Sequence, residues 1–345
     1  MSNRNYSKDE LSAALLSMGV KDVADVCRYG SGHINDTFKV ETKTGVRYVL
    51  QRVNTDIFPP DILKENILRV TDHLARKGVR TLEVAGYENP WRLYRFLEDC
   101  TSVDLIDEPR EAELAARAFA GFQNDLADLP PPRLGEIIPR FHDTVDRLRL
   151  LDAAAAADVK GRKAGVAAEL AFVDRRREEA AKIVTMLAKG ELPERITHND
   201  TKINNVMFAA DGSSVVIDLD TVMPGSALYD FGDMVRTSTA AAAEDERDLS
   251  KVYSKEEYFE ALVRGYMANA KFLTEAEKAN LAFAGRLITL TIGIRFLTDY
   301  LAGDTYFHTT CGDHNLVRCR TQFKMVESME GQKDAYEAIV RRYAV

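Results

Sequence analysis

Apolar positions near the amino terminus fall first at helical and then at alternating spacing. Ser7 to Met18 predicts a short helix, with Ser7 as N-cap, Glu10 at the reciprocal capping-box position and Gly19 ending it. Val26 to Tyr29 opens a sheet, and Phe38-Lys39-Val40-Glu41 alternates with period two. Thr44-Gly45 then turns the chain, and Val46 to Val53 returns as a third strand. Beyond the stiff loop Ile57-Phe58-Pro59-Pro60, residues 61–77 read as a helix with Ile62, Ile67, Val70 and Leu74 on its inner stripe. Val79 to Val84 and Trp91 to Leu97 complete the small sheet. The pattern then becomes mainly helical. Helices are expected over 111–124 (Leu114, Phe119 and Phe122 inward), within 159–189, and over 227–235, 256–270, 275–301 and 324–343.

This pattern predicts an α+β protein with two lobes: a small, mainly β lobe over 1–97 that binds nucleotide, and a larger, mainly helical lobe over 98–345. A length of 345 residues also exceeds the usual single core. One hairpin interrupts the helical half. Val206–Phe208 and Val215–Ile217 are short apolar runs flanking an Asp211-Gly212 turn. Asp200 and Asn205 precede or start its first strand, while Asp218 and Asp220 close the second. The hairpin gathers hard oxygen donors of the kind Mg²⁺ prefers.

The spacing His198-x-Asp200-x-x-x-x-Asn205 followed by Ile217-Asp218 resembles the aminoglycoside phosphotransferase and choline kinase-like small-molecule kinases, which share the protein-kinase-like fold. The resemblance implies a bilobal kinase with ATP as phosphoryl donor and Mg²⁺ as cofactor. It implies Asp200 as the base, Asn205 and Asp218 as metal ligands, His198 as a residue orienting the catalytic loop, and Asp230 as a structural acceptor for that loop's amides. Longer segments, T-H-N-D-T-K-I-N-N, I-D-L-D-T-V-M-P-G-S and F-L-T-D-Y-L-x-G-D-x-Y-F among them, are similar to the N-acetylhexosamine 1-kinases. That similarity covers nearly the whole chain and implies N-acetylglucosamine or N-acetylgalactosamine as acceptor.

The glycine loop carrying Gly30, Gly32 and His33 joins the first two strands and is expected to lie over the ATP phosphates. It is not a P-loop, because no G-K-[S/T] follows. Arg95, Phe96 and Leu97 form the expected hinge receiving adenine. Gln51 occupies the third-strand position where kinases carry a phosphate-binding lysine, and Glu65 is the expected counterpart in the following helix. In the larger lobe, Arg295 and Asp299 are four apart. Tyr300, Asp304, Tyr306 and His308 follow, a polar and aromatic rim suited to sugar hydroxyls and a pyranose face. A helix ion pair between Arg295 and Asp299 is the structural alternative. His142 reads as a structural or solvent-facing histidine, and Asp220 and Asp233 as metal, sugar or supporting residues.

A formal charge of −8 argues against a general nucleic-acid binder, and the Arg175–Arg177 run, followed by two glutamates, reads as a solvated helix face. Four scattered cysteines predict reduced, structural thiols. The polar amino terminus lacks a signal-peptide apolar region. The greasy stretch over 281–301 carries Arg286, Arg295 and Asp299, which favours a buried helix over a membrane span. Cytoplasmic location and a monomer are expected, with a homodimer as alternative. The competing functions are a kinase of another small alcohol, a hydrolytic metalloenzyme, for which no paired-His motif is present, and a silent ATP-binding module.

Overall fold

The computed structural model describes residues 5–30, 34–103 and 106–344. The chain divides into two compact units. The first comprises Met1–Ser102, Asp128–Pro139 and Val206–Met223; the second comprises Val103–Ala127, Arg140–Asn205 and Pro224–Val345.

In the first unit the predicted capping box forms. The Glu10 amide donates to Ser7 Oγ (3.1 Å) and the Ser7 amide to Glu10 Oε2 (3.0 Å), starting helix α1 (Lys8–Ser17). Five strands follow, β1 (Val23–Arg28), β2 (Asp36–Thr42), β3 (Arg47–Arg52), β4 (Val84–Glu88) and β5 (Trp91–Arg95), in the antiparallel order β1-β2-β3-β5-β4. Alternation along β2 buries Phe38 and Val40 while Lys39 and Glu41 stay more open. Leu11, Leu15, Val20, Leu50 and Leu93 complete that core. Each such side chain stabilises the fold by about 1.5–3 kcal/mol.

Helix α2 (Pro60–Arg76) buries Leu63, Ile67, Val70 and Leu74. The expected Ile62 lies on the outer side and is exposed, because the stripe at positions 63, 67, 70 and 74 keeps the tighter heptad spacing. Residues 79–83 are not a strand; the fourth strand starts at Val84. The predicted hairpin is present, with Val206–Ala209 paired to Ser214–Val216 and a third strand, β6 (Cys100–Ser102), beside it.

The second unit is helical. Its central helix, Leu281–Ala302, packs against the helices Thr144–Ala157, Ala227–Ser238 and His314–Gly331. By length and composition it could cross a membrane, but most of it is buried inside the unit. Close packing needs Gly232, where an added Cβ would lie 2.5 Å from the Ala284 carbonyl oxygen. Three predicted long helices are broken. Residues 159–189 hold several short turns and helices, 275–301 is divided by Ala279-Asn280, and a separate helix, Lys333–Tyr343, follows His314–Gly331. The apolar stripes continue through these breaks, so periodicity alone does not reveal them.

Candidate active site

The catalytic-loop segment of the second unit runs from the short strand Arg195–Thr197 to the 3₁₀ turn Ile203–Asn205. Its backbone is held from the helix Ala227–Ser238, which Ser226 caps. The buried Asp230 carboxylate accepts the amides of His198 (2.8 Å) and Asn199 (2.7 Å) and the Gln123 side-chain amide (2.7 Å). One turn on, Asp233 accepts the Thr201 amide at 3.0 Å, and the Asp230 carbonyl accepts the Thr201 hydroxyl at 2.7 Å. These bonds hold Asn199 at φ 65°, a left-handed conformation that few non-glycine residues adopt.

Burial pushes Asp230 up to about 6, against the lowering effect of His198 and the two loop amides. Burial acts the same way on Asp233, but Arg236, bonded to it through Nε (2.9 Å), and then His142 outweigh burial and leave it below the usual carboxylate value. His198 is buried, with its ring edge-on to Phe119 (5.2 Å) and Phe122 (6.0 Å), and its Nδ1 accepts the Asp200 amide at 3.3 Å. It therefore faces the inside of the unit and its own loop. His142 is also buried and bonds the Asn199 carbonyl through Nε2 (3.1 Å), while burial lowers its pKa to about 4. It braces the loop as a neutral imidazole.

Asp200 is part-exposed, unlike the buried His198 and Asn199 before it. Its Oδ2 accepts Lys202 Nζ and Asn205 Nδ2, each at 3.0 Å. Asn205 Nδ2 also bonds the Asp200 carbonyl (2.8 Å), so the amide oxygen is the end of that side chain with lone pairs to offer. Carboxylate and amide oxygens fit Mg²⁺ in chemical type. Among the described residues no group of three or more His, Cys, Asp or Glu side chains could hold a metal alone. A cation here would complete its shell with phosphate oxygens and water. Lys202 was not singled out from the sequence, although its place two residues after Asp200 is the signal that marks it.

In the first unit, Asp218 follows the hairpin in a left-handed conformation (φ 58°, ψ 59°) and opens the 3₁₀ turn Leu219–Thr221. Gln51 on β3 bonds Thr37 Oγ1 (3.1 Å) and accepts Arg92 Nε (2.9 Å). Glu65 is not its counterpart: that side chain is exposed and, among the described residues, its ion pair is with Arg69, at 3.9 Å. Arg95 ends β5 stacked on Tyr48 (4.9 Å), with its Nε 3.4 Å from Glu83. Phe96 packs against Tyr29 (5.7 Å), and Leu97 is half-buried beside it. Gly30 has φ 77° and no atom within 4 Å of an added Cβ, so backbone conformation is what calls for glycine there. Gly32 and His33 lie outside the described residues.

The acceptor rim expected in the second unit divides into two groups. Arg295 sits against Phe141 (5.0 Å), Tyr306 (5.6 Å) and Phe307 (5.4 Å), and makes no ion pair with a carboxylate among the described residues. Burial presses its pKa below the ordinary value, which Tyr306 opposes and Arg147 reinforces. Asp299 does not pair with it. The Asp299 carboxylate accepts the amides of Thr305 (2.9 Å), Tyr306 (2.8 Å) and Phe307 (3.0 Å) and the Asn315 side chain (2.8 Å). A ring of amides satisfies that buried anion, so its work here is to close the loop. Asp304 likewise takes Arg162 (2.6 Å) and Asn315 (2.9 Å), and the Tyr300 ring lies under Arg162 at 4.3 Å. Asp299, Tyr300 and Asp304 thus brace the segment that presents Tyr306. Phe141 and Phe307 are additions to the Arg295 group, and Phe141 precedes the histidine that holds the catalytic loop.

Comparison with known proteins matches residues 25–267, more than two thirds of the chain, to the phosphotransferase enzyme family. Among solved structures, an ethanolamine kinase from Plasmodium vivax is 14% identical with a TM-score of 0.62, covering 93% of this chain and 91% of that one. A choline/ethanolamine kinase family protein from Mesorhizobium loti is 16% identical (TM-score 0.61; 97% and 99% covered). An aminoglycoside phosphotransferase from Alicyclobacillus acidocaldarius is 12% identical (TM-score 0.62; 99% and 98% covered). At these identities the likeness establishes the fold: a kinase-like pairing of a small β-rich lobe with a larger helical one.

Proposed function

Because this chain belongs to the phosphotransferase enzyme family, we propose that it transfers the terminal phosphoryl group of ATP to the anomeric hydroxyl of N-acetylglucosamine or N-acetylgalactosamine. Family membership supports phosphoryl transfer to a small hydroxyl-bearing acceptor. The amidosugar rests on the sequence segments quoted above and on one observation, the aromatic-framed Arg295. A guanidinium without a carboxylate partner donates hydrogen bonds to neutral acyl and hydroxyl oxygens, and the surrounding rings suit a pyranose face. With Arg147 also acting on it, this surrounding is positive and disfavours a cationic acceptor such as choline, ethanolamine or an aminoglycoside.

In this reading Asp200 orients the anomeric hydroxyl and takes its proton as the oxygen attacks the γ-phosphorus, with ADP as the leaving group. Lys202 and Asn205 fix the Asp200 carboxylate so that one oxygen stays turned to the acceptor. Asn205 and Asp218 are the residues that would hold Mg²⁺, which when bound offsets charge on the phosphates. No side chain needs to carry the phosphoryl group.

Replacing Arg295 by alanine should raise the acceptor KM by about 10- to 100-fold, the equivalent of one charge-assisted hydrogen bond, with the ATP KM changed less than threefold or so. Steady-state kinetics with each substrate varied in turn measures this. An equal rise in both constants would instead indicate damage to the helical unit.

A further inference from the structure

The side chain directly across the sheet from Gln51 is Arg92, its register partner on β5. Arg92 is almost wholly buried, and Nε bonds Gln51 while Nη1 and Nη2 fork onto the Asp220 carboxylate. A second donor to Asp220 is Asn35 Nδ2 at 2.6 Å, and Asn35 Oδ1 in turn accepts the Asn54 amide at 3.0 Å. Two residues later, the Val222 carbonyl accepts Asn66 Nδ2 from α2 at 3.1 Å. The segment that follows Asp218 is therefore tied to the sheet at Asp220 and to α2 at Val222. All these groups belong to the first unit.

We propose that Arg92 is the positioning residue of the Asp218 turn, and that the Gln51–Arg92–Asp220 relay sets the direction of the metal-binding carboxylate without a strand lysine. Asp218 sits two residues from the fork in a left-handed conformation, which needs support from its surroundings, and the fork fixes the far end of its turn. A bidentate arginine–carboxylate pair suits that task, since it restricts rotation as well as distance. Arg92 is not the phosphate clamp: both terminal nitrogens are committed to Asp220, and its side chain is closed to solvent. Asp220 is committed likewise, so it supports the turn and is not itself a cation ligand. The proposal rests on the reading that Asp218 meets a metal–nucleotide complex.

The test is a Mn²⁺ titration followed by electron paramagnetic resonance in the presence of ADP, made on the full chain and accompanied by thermal melts. Asp220→Asn keeps the shape and removes the charge, and should weaken Mn²⁺ binding about 10- to 100-fold, as expected when a partner of a metal ligand is lost. Arg92→Lys keeps the charge without the fork and should fall between wild type and Asp220→Asn. Gln51→Met is the milder variant should the others fail to fold, and should weaken Mn²⁺ in the same direction by a few-fold or so. Acceptor KM should stay within about twofold throughout, because the relay touches no acceptor group. Folded variants that melt earlier yet bind Mn²⁺ like wild type would overturn the proposal and leave a purely structural pair. Absence of Mn²⁺–ADP binding by the wild-type chain would overturn this proposal together with the functional reading.

Discussion

Asp200→Asn is expected to lower kcat by about 10²- to 10⁴-fold, the range for a positioned general base. The substitution is conservative in shape. An asparagine oxygen can still accept the Lys202 ammonium, and Asn205 retains its bond to the residue 200 carbonyl, so the loop should keep its path. What disappears is the proton acceptor and the charge that Lys202 offsets. Nucleotide affinity, measured by calorimetry with ADP, should remain within about threefold of wild type, because positioning and proton transfer are separable contributions. A variant that turns over at near-normal rate would remove Asp200 from the mechanism.

The second large effect is structural in origin. Asp230→Ala removes the acceptor for the His198 and Asn199 amides and for the Gln123 side chain. These donors are buried, and leaving them unpaired costs about 1–3 kcal/mol each. A loss of about 3–5 kcal/mol is expected in a urea titration, with kcat falling because residues 198–200 lose their path. A loss below about 1 kcal/mol would show that the loop is held by other bonds.

Asp230 also carries a pH signature. Its carboxyl is raised from 3.8 to about 6 by burial, so the folded chain holds a proton in a range where the unfolded chain has released it. This contribution to stability is fully present below about pH 4 and is lost as pH rises through 6. Asp230→Asn does not titrate. Its stability relative to wild type should therefore improve by roughly 2 kcal/mol between pH 4 and pH 7, most of the free energy that the raised carboxyl represents. Urea midpoints of both proteins at several pH values measure this difference.

The sequence carried the local parts of this structure well. Ser7 with Glu10 announced the first helix, and the apolar runs around Asp211-Gly212 announced the hairpin. Asp200 and Asn205 are close in sequence and bond in the fold, so their spacing was informative. What was hidden depends on long separations. Arg92 and Asp220 are 128 positions apart, and nothing in the W-R-L-Y-R strand distinguishes the arginine of a buried fork from the more open Arg95. The Arg295–Asp299 spacing suggested a shared sugar rim, with a helix ion pair as the alternative. Amides from residues 305–307 captured Asp299 instead, a loop geometry that side-chain periodicity does not encode. Ile62 and Leu63 are adjacent and equally apolar, and the packing of α2 chose between them.

The most direct measurement is phosphorus NMR of the purified protein with Mg-ATP and each N-acetylhexosamine in turn, with choline and ethanolamine as comparison acceptors. The expected products are ADP together with a sugar phosphate whose signal is coupled to the anomeric proton, and no phosphocholine or phosphoethanolamine. Transfer to either amine with neither sugar consumed, or ADP accompanied by inorganic phosphate alone, would contradict the proposed reaction.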